Sequence, residues 1–159
     1  MKLITQTNAS LLFEVRKAVD GPFTPSDASK VRREMQKYAR GGDRAAYVVC
    51  KDDKAVGYVE CKLDEDLPAG CPQSDEFRNI GHIARIGVLK EHRIRGMGRQ
   101  LMGQAEAWLR IRRRKGAWLD YRHQNWDLTV FYVRVGYRNT MEITDPVKGG
   151  MREIAVKRW

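Results

Sequence analysis

The chain has 159 residues and a mass of 18.4 kDa, the size of one domain with a core large enough to fold unaided. Hydrophobic residues make up 42% and charged residues 31%, a globular balance that excludes a disordered tail. Thirty Lys and Arg against twenty Asp and Glu leave a net charge of +10, which favours polyanionic ligands: nucleic acid, a membrane surface or a phosphate-bearing small molecule. No apolar run approaches the roughly 20 residues that cross a bilayer, and the opening stretch MKLITQTNAS lacks a secretory signal. No membrane association and a cytoplasmic location are expected. Cys50, Cys61 and Cys71 form no Cys-x-x-Cys pair, so reduced thiols are expected rather than disulfides or a zinc site.

In chain order, Leu3 and Ile4 begin a short strand. Asn8 or Ser10 caps a helix running to about Asp20, with Leu11, Leu12, Val15, Ala18 and Val19 on one face. Gly21-Pro22 and Pro25 break that pattern. A second helix starts near Ser26, carries Val31, Met35 and Tyr38 at helical spacing, and stops at Gly41-Gly42. Residues 45–50 and 55–63 read as a hairpin around a tight turn at 51–54. The segment 64–79 is a long loop, and loops of that length are usually functional or mobile. A strand over 80–89 precedes an amphipathic helix from Met97 to about Ile111, which Gly116 ends. A strand over 117–121, a helix over 126–135 closed by Gly136, and strands over 137–143 and 151–157 complete the chain. The order β-α-α-β-β-β-α-β-α-β-β argues for one mixed sheet covered by helices.

Charge is segregated. Residues 90–115 hold nine basic side chains against Glu91 and Glu106, whereas 64–76 carry Asp64, Glu65, Asp66, Asp75 and Glu76 with no Lys or Arg. The strongest chemical signal is Arg93-Ile94-Arg95-Gly96-Met97-Gly98, between a strand and the amphipathic helix. Glycines at 96 and 98 let the backbone approach a ligand. The helix start offers unpaired N–H groups to phosphate oxygens, and Arg93, Arg95 and Arg99 add positive charge. A dinucleotide fingerprint is excluded because Leu101 stands where its third glycine belongs, and a Walker loop because Arg99 and Gln100 follow Gly98.

Arg93-x-x-Gly96-x-Gly98 resembles the R/Q-x-x-G-x-G/A hallmark of the GNAT superfamily of acetyl-CoA-dependent N-acetyltransferases. A second family motif is similar to Asn125, Leu128, Phe131, Tyr132, Gly136 and Tyr137, with mild departures at Leu128 and Tyr137. The resemblance covers residue 45 onward well; the first forty residues agree only in their strand-helix-helix pattern. It implies an α/β (α+β) GNAT fold with a mixed sheet of about six to seven strands and about four helices, in a single domain over 1–159. It also implies acetyl-CoA as co-substrate and no metal. The pantetheine arm would lie along Ile86, Gly87 and Val88. The pyrophosphate would rest on the amides of Arg93, Ile94, Arg95, Gly96, Met97 and Gly98, with Arg99 alongside.

Amide formation needs a neutral amine, and a lysine-like amine of pKa ~10.4 is unprotonated in only about one molecule in 2,500 at pH 7, an obstacle of roughly 4.6 kcal/mol. A base near the acetyl group lowers it. By resemblance Tyr132 is the general acid that protonates the thiolate; a core tyrosine beside Phe131 is the alternative. His82 is the candidate base, since it falls where several family members carry Glu or His and shares a strand face with Ala84, Ile86 and Val88. Glu60 and a water chain are its rivals. Asn125 either binds cofactor or caps its helix.

The acidic stretch 64–76 either attracts a cationic acceptor or is merely solvated. The basic run 110–115 has two readings. It is a solvated helix end serving in part the 3′-phosphate of CoA, or it marks a nucleic-acid- or protein-binding module with a vestigial acyl-CoA site. Stacking aromatics are sparse around it, which argues against nucleic acid. The expected reaction transfers acetyl to a primary amine of a small molecule or protein, and a homodimer is left open by the terminal strands.

Overall fold

The computed structural model describes residues 1–5, 8–21, 24–63, 67, 71, 74–145 and 149–159. Its elements are β1 (Lys2–Leu3), α1 (Ala9–Asp20), α2 (Pro25–Arg40), β2 (Arg44–Lys51), β3 (Lys54–Lys62), β4 (Gly81–Val88), α3 (Met97–Ile111), β5 (Gly116–Arg122), α4 (Trp126–Arg134), β6 (Arg138–Thr144) and β7 (Met151–Arg158). This is the expected order, with boundaries displaced by about one residue at most. The strands follow the sheet order β1-β2-β3-β4-β5-β7-β6, with β4 parallel to β5 and every other recorded ladder antiparallel. The chain divides into two compact units: residues Met1–Lys62 with Ile83–Trp108, and Leu63–His82 with Leu109–Trp159.

The first unit is built on the β2–β3 hairpin, whose turn residues Asp52 and Asp53 both adopt left-handed backbone, at φ 49° and 59°. That geometry matches the twist of the flanking strands. Its core joins Leu12 and Val15 of α1, Val31, Met35 and Tyr38 of α2, and Ala46, Val48 and Tyr58 of the hairpin. The apolar face of α1 departs from expectation: Ala18 is exposed, while Arg16 is buried. Positions 12, 15, 16 and 19 hold the i, i+3, i+4, i+7 register, and Arg16 tolerates it because three carboxylates meet its guanidinium. Asn8 occupies the N-cap position without capping. Its side chain instead accepts from Thr5 N–H at 2.7 Å and donates to the Leu3 carbonyl at 3.0 Å. Thr24 caps α2 by accepting from the Asp27 amide, so that helix starts at Pro25, one residue before the expected Ser26.

In the second unit β5 pairs along its length with β7, and Gly81 and His82 of β4 pair with Ala117 and Trp118. Ile80, Trp118, Ile143, Ile154 and Val156 form its core. Gly116 does not end α3. The helix closes at Arg113, whose φ is 61°, with the Arg113 amide bonded to the Arg110 carbonyl and the Arg114 amide to the Leu109 carbonyl. This is the paired bonding of a Schellman stop. Gly116 lies inside β5, where an added Cβ would meet the Lys157 carbonyl oxygen at 2.5 Å.

Much of the basic run is occupied by the fold. Arg114 donates to the Leu63 carbonyl and to Asn79, and Arg110 stacks 4.2 Å over the Trp159 ring. Of the acidic loop, Asp64, Glu65 and Asp66 lie outside the described residues, as does Pro146 in the β6–β7 connection. Asp75 pairs with Arg78 and Glu76 with Arg138.

Gly116→Ala is expected to lower unfolding stability by about 1–3 kcal/mol through overpacking against β7. Arg113→Gly should raise it by about 0.5–1 kcal/mol by relieving the left-handed residue. Urea unfolding of both variants checks the pair, and the opposite signs would restore Gly116 as the helix stop.

Candidate functional site

The bend between β4 and α3 is made by local chemistry within the first unit. After Val88 the chain makes a 3-10 turn over Lys90–His92. Arg93 then folds back, its Nε donating to the Val88 carbonyl at 3.0 Å. Ile94 and Gly96 carry positive φ, 61° and 78°. The isoleucine is the notable one, since a β-branched residue there is strained by about 1–3 kcal/mol. Its side chain is fully exposed and gains no packing in return. The first helical bond of α3 runs from the Gln100 amide to the Gly96 carbonyl, so the amides of Met97, Gly98 and Arg99 precede the ladder and have no intrahelical acceptor. No acidic residue occupies the first turn of α3, and a Cβ built on Gly96 meets nothing within 4 Å. Arg93, Arg95 and Arg99 are all exposed. Open backbone, unpaired amides and three arginines together suit a diphosphate.

Ile86 and Val88 are half-buried along β4. Gly87 has a packing reason of its own: a Cβ there would lie 2.6 Å from Val19 and 2.9 Å from the Tyr58 ring. Neighbouring Glu60 of β3 is fully buried. Its Oε1 accepts from Arg16 Nη1 at 3.1 Å, and Arg85 Nε lies 3.7 Å from its Oε2. Burial pushes the Glu60 pKa up to about 7, against the pull of Arg16 and Arg85. Arg16 also pairs with Glu34 and Asp20, and the Tyr58 hydroxyl donates to the Asp20 carboxylate at 2.9 Å. Glu60 is thus the centre of a closed ionic cluster.

The second unit holds the other candidates. Tyr132 of α4 is 5% exposed, with its ring against Tyr121, Phe131 and Tyr137. Among the described residues none hydrogen-bonds its hydroxyl. Burial, reinforced by Asp120 and Tyr121, drives its pKa above the ordinary phenol value, so it stays protonated. Asn125 caps α4, its Oδ1 accepting from the Leu128 amide at 3.3 Å; of the two readings of this residue, the structure displays the cap. His82, 6% exposed, stacks on its strand neighbour Trp118 at 3.7 Å between ring centres and 9° between planes. His82 Nε2 lies 3.6 Å from Asp120 Oδ1. Asp120 in turn pairs with Arg152 of β7, which reaches Asp145 at 3.5 Å. Burial opposes ionisation of Asp120, but contact with His82 and Arg152 outweighs it and holds the carboxyl below its ordinary range.

Sequence reasoning missed Arg16, Arg85, Asp120 and Arg152. For Asp120 a signal existed: a carboxylate inside the apolar strand WLDY is out of pattern and demands a partner. No cluster of three or more His, Cys, Asp or Glu among the described residues could hold a metal ion, and no helix among them is long and apolar enough to cross a membrane.

A profile described as the acetyltransferase (GNAT) family matches residues 12–137. Among solved structures, a GNAT-family acetyltransferase from Desulfovibrio desulfuricans superposes with a TM-score of 0.74 at 16% identity, over 99% of this chain and 98% of that one. The aminoglycoside N-acetyltransferase AAC(6')-Iy in complex with CoA gives 0.77 at 17% identity, over 92% of each. The ribosomal-protein-S18-alanine N-acetyltransferase of Escherichia coli gives 0.71 at 12%, over 99% of this chain and 92% of that one. At such identities these likenesses speak for the fold. A threonine–tRNA ligase of Burkholderia vietnamiensis is 32% identical over 68 residues, 41% of this chain, and the chain spans only 11% of that protein.

Because the folded chain holds the Glu60 proton more tightly than an unfolded carboxylate near 4.5, its contribution to stability is present at low pH and falls as pH rises from about 4.5 to about 7. Arg16→Ala is therefore expected to cost about 3–5 kcal/mol at pH 8, where it strands a buried charge, and distinctly less at pH 5. Urea midpoints at the two pH values test this, and equal losses would contradict it.

Proposed function

The chain belongs to the acetyltransferase (GNAT) family, and we propose that it transfers acetyl from acetyl-CoA to a primary amine by direct attack. The observation that carries this reading is the bend at 93–98, where left-handed backbone at Ile94 and Gly96 opens α3 with unpaired amides among three arginines. Those amides and side chains would hold the pyrophosphate, and Ile86, Gly87 and Val88 the pantetheine arm. The bound co-substrate supplies the thioester that is to be aminolysed.

The protein's own groups manage two protons. His82 takes one from the attacking ammonium-derived amine through water, since the ring is largely buried. Tyr132 gives one to the sulfur as the carbon–sulfur bond breaks and the amide forms; solvent then restores both groups. A phenol held protonated by burial and free of hydrogen-bond partners among the described residues suits that second task. Glu60 is the weaker base: Arg16 and Arg85 engage its carboxylate and no part of it meets solvent. The acceptor is an amine of a small molecule or of a protein, in keeping with the aminoglycoside and ribosomal-protein enzymes that share the fold.

Thiol release from acetyl-CoA against an amine panel tests the reading. Tyr132→Phe should lower turnover about a hundredfold while calorimetry shows CoA affinity nearly unchanged. Full turnover in that variant removes Tyr132 from the mechanism. Absence of any CoA binding by the wild-type protein at low ionic strength overturns the function.

A further inference from the structure

Helix α4 is apolar on both sides, which a helix lying on a protein surface ordinarily is not. In its sequence, WDLTVFYVR, all residues but Asp127, Thr129 and Arg134 are hydrophobic or aromatic. One side packs inward through buried Tyr132, with Leu128, Phe131 and Val135 half-buried beside it. Trp126, Val130 and Val133 follow at i, i+4 and i+7, so they form one stripe on the other side. They are 73%, 46% and 56% exposed, although tryptophan is on average highly buried. The outward side of α2, by contrast, is made of Arg33, Gln36, Lys37 and Arg40. Asp127 and Arg134 border the apolar stripe on one flank, two turns apart, at equal distances either side of the helix middle. Both are exposed, and neither side chain has an ion-pair or hydrogen-bond partner among the described residues. A stripe with opposite charges at matching positions along its flank is complementary to itself when turned end for end.

We propose that this stripe is the contact surface of a homodimer, in which α4 packs antiparallel on the α4 of a second copy. A two-fold axis near Val130 then sets Trp126 of each copy against Val133 of the other, and Asp127 of each beside the other's Arg134. The charge order selects this occupant. An anionic membrane surface attracts Arg134 but repels Asp127, and a partner of one charge sign matches only one of the two. A second copy matches both, and does so twice. The helix is about 14 Å long, so the contact is small and the dimer belongs to the weak, exchanging class, with Trp126 as its anchor. The inference is independent of the acetyl-transfer reading, although the inward side of the same helix carries Tyr132.

Sedimentation equilibrium of the full chain should show a dimer with a dissociation constant of about 10–100 µM. Val130→Lys sets like charges together at the axis and Trp126→Ala removes the anchor. Each should leave a monomer with unchanged far-UV circular dichroism, since both side chains are exposed. Asp127→Arg and Arg134→Asp should each weaken self-association roughly tenfold, because the symmetry counts every lost pair twice. Mixed in equal amounts, those two variants should associate with each other about as tightly as the wild type does, one offering two arginines and the other two aspartates. A misfolded variant could not regain affinity in this way. A mixture no tighter than its components overturns the antiparallel pairing. A wild type that stays monomeric over this range overturns the proposal, including when it binds phosphatidylserine vesicles instead. Dimers that persist in both Val130→Lys and Trp126→Ala place the contact elsewhere and overturn it as well.

Discussion

An α-helix cannot satisfy the N–H groups of its own first turn, and the start of α3 leaves that debt open to the outside. Many helices settle it with a side-chain cap, as Thr24 does for α2 and Asn125 for α4. At α3 the residue before the helix is Gly96, with no side chain to offer, and the chain reaches it through a strained isoleucine. A cap would have been the stable solution. Leaving it out, and lining the approach with arginine, makes a positive helix start that suits an anion, and the proposed acyl-transfer reading begins from that feature.

Two buried carboxylates show how partners decide what burial does. Glu60 and Asp120 both lie in the interior of strands, and both meet an arginine. Glu60 is completely enclosed and its proton affinity rises; Asp120 keeps some exposure, meets His82 as well as Arg152, and its proton affinity falls. The first is suited to tying α1, α2 and β3 together, because Arg16 reaches Glu34 and Asp20 as well. The second is held in its ionised form by the groups it meets, Arg152 among them. Composition alone could not separate these two acids; their neighbours do.

Much of the architecture was legible because it follows from periodicity and punctuation. The amphipathic repeat of α3, the hairpin around Asp52-Asp53 and the closing glycine at 136 are local signals and appeared where expected. The bend at 93–98 was legible for the same reason: its glycines and arginines are contiguous. What escaped depends on contacts distant in sequence. The burial of Arg16 is one such case, since nothing near it in the chain reveals Glu60, 44 positions away. Gly116 was misread for a related reason, since its need to be small comes from the Lys157 carbonyl of a strand at the far end of the chain. The approach of Asp120 to His82 was not legible either, because parallel pairing of β4 with β5 is invisible to any local pattern.

Tyr132 carries a last consequence. Its ring is enclosed by three other aromatics, and its hydroxyl makes no hydrogen bond to any described residue. Burial of the ring raises the proton affinity of that phenol, so it rests protonated. In the proposed reaction this leaves the phenol's proton to the departing sulfur, with no competing acceptor among the described residues to displace first. Under that proposal, the unmet hydrogen-bonding capacity of one hydroxyl is reserved for a charge that exists only while the reaction is under way.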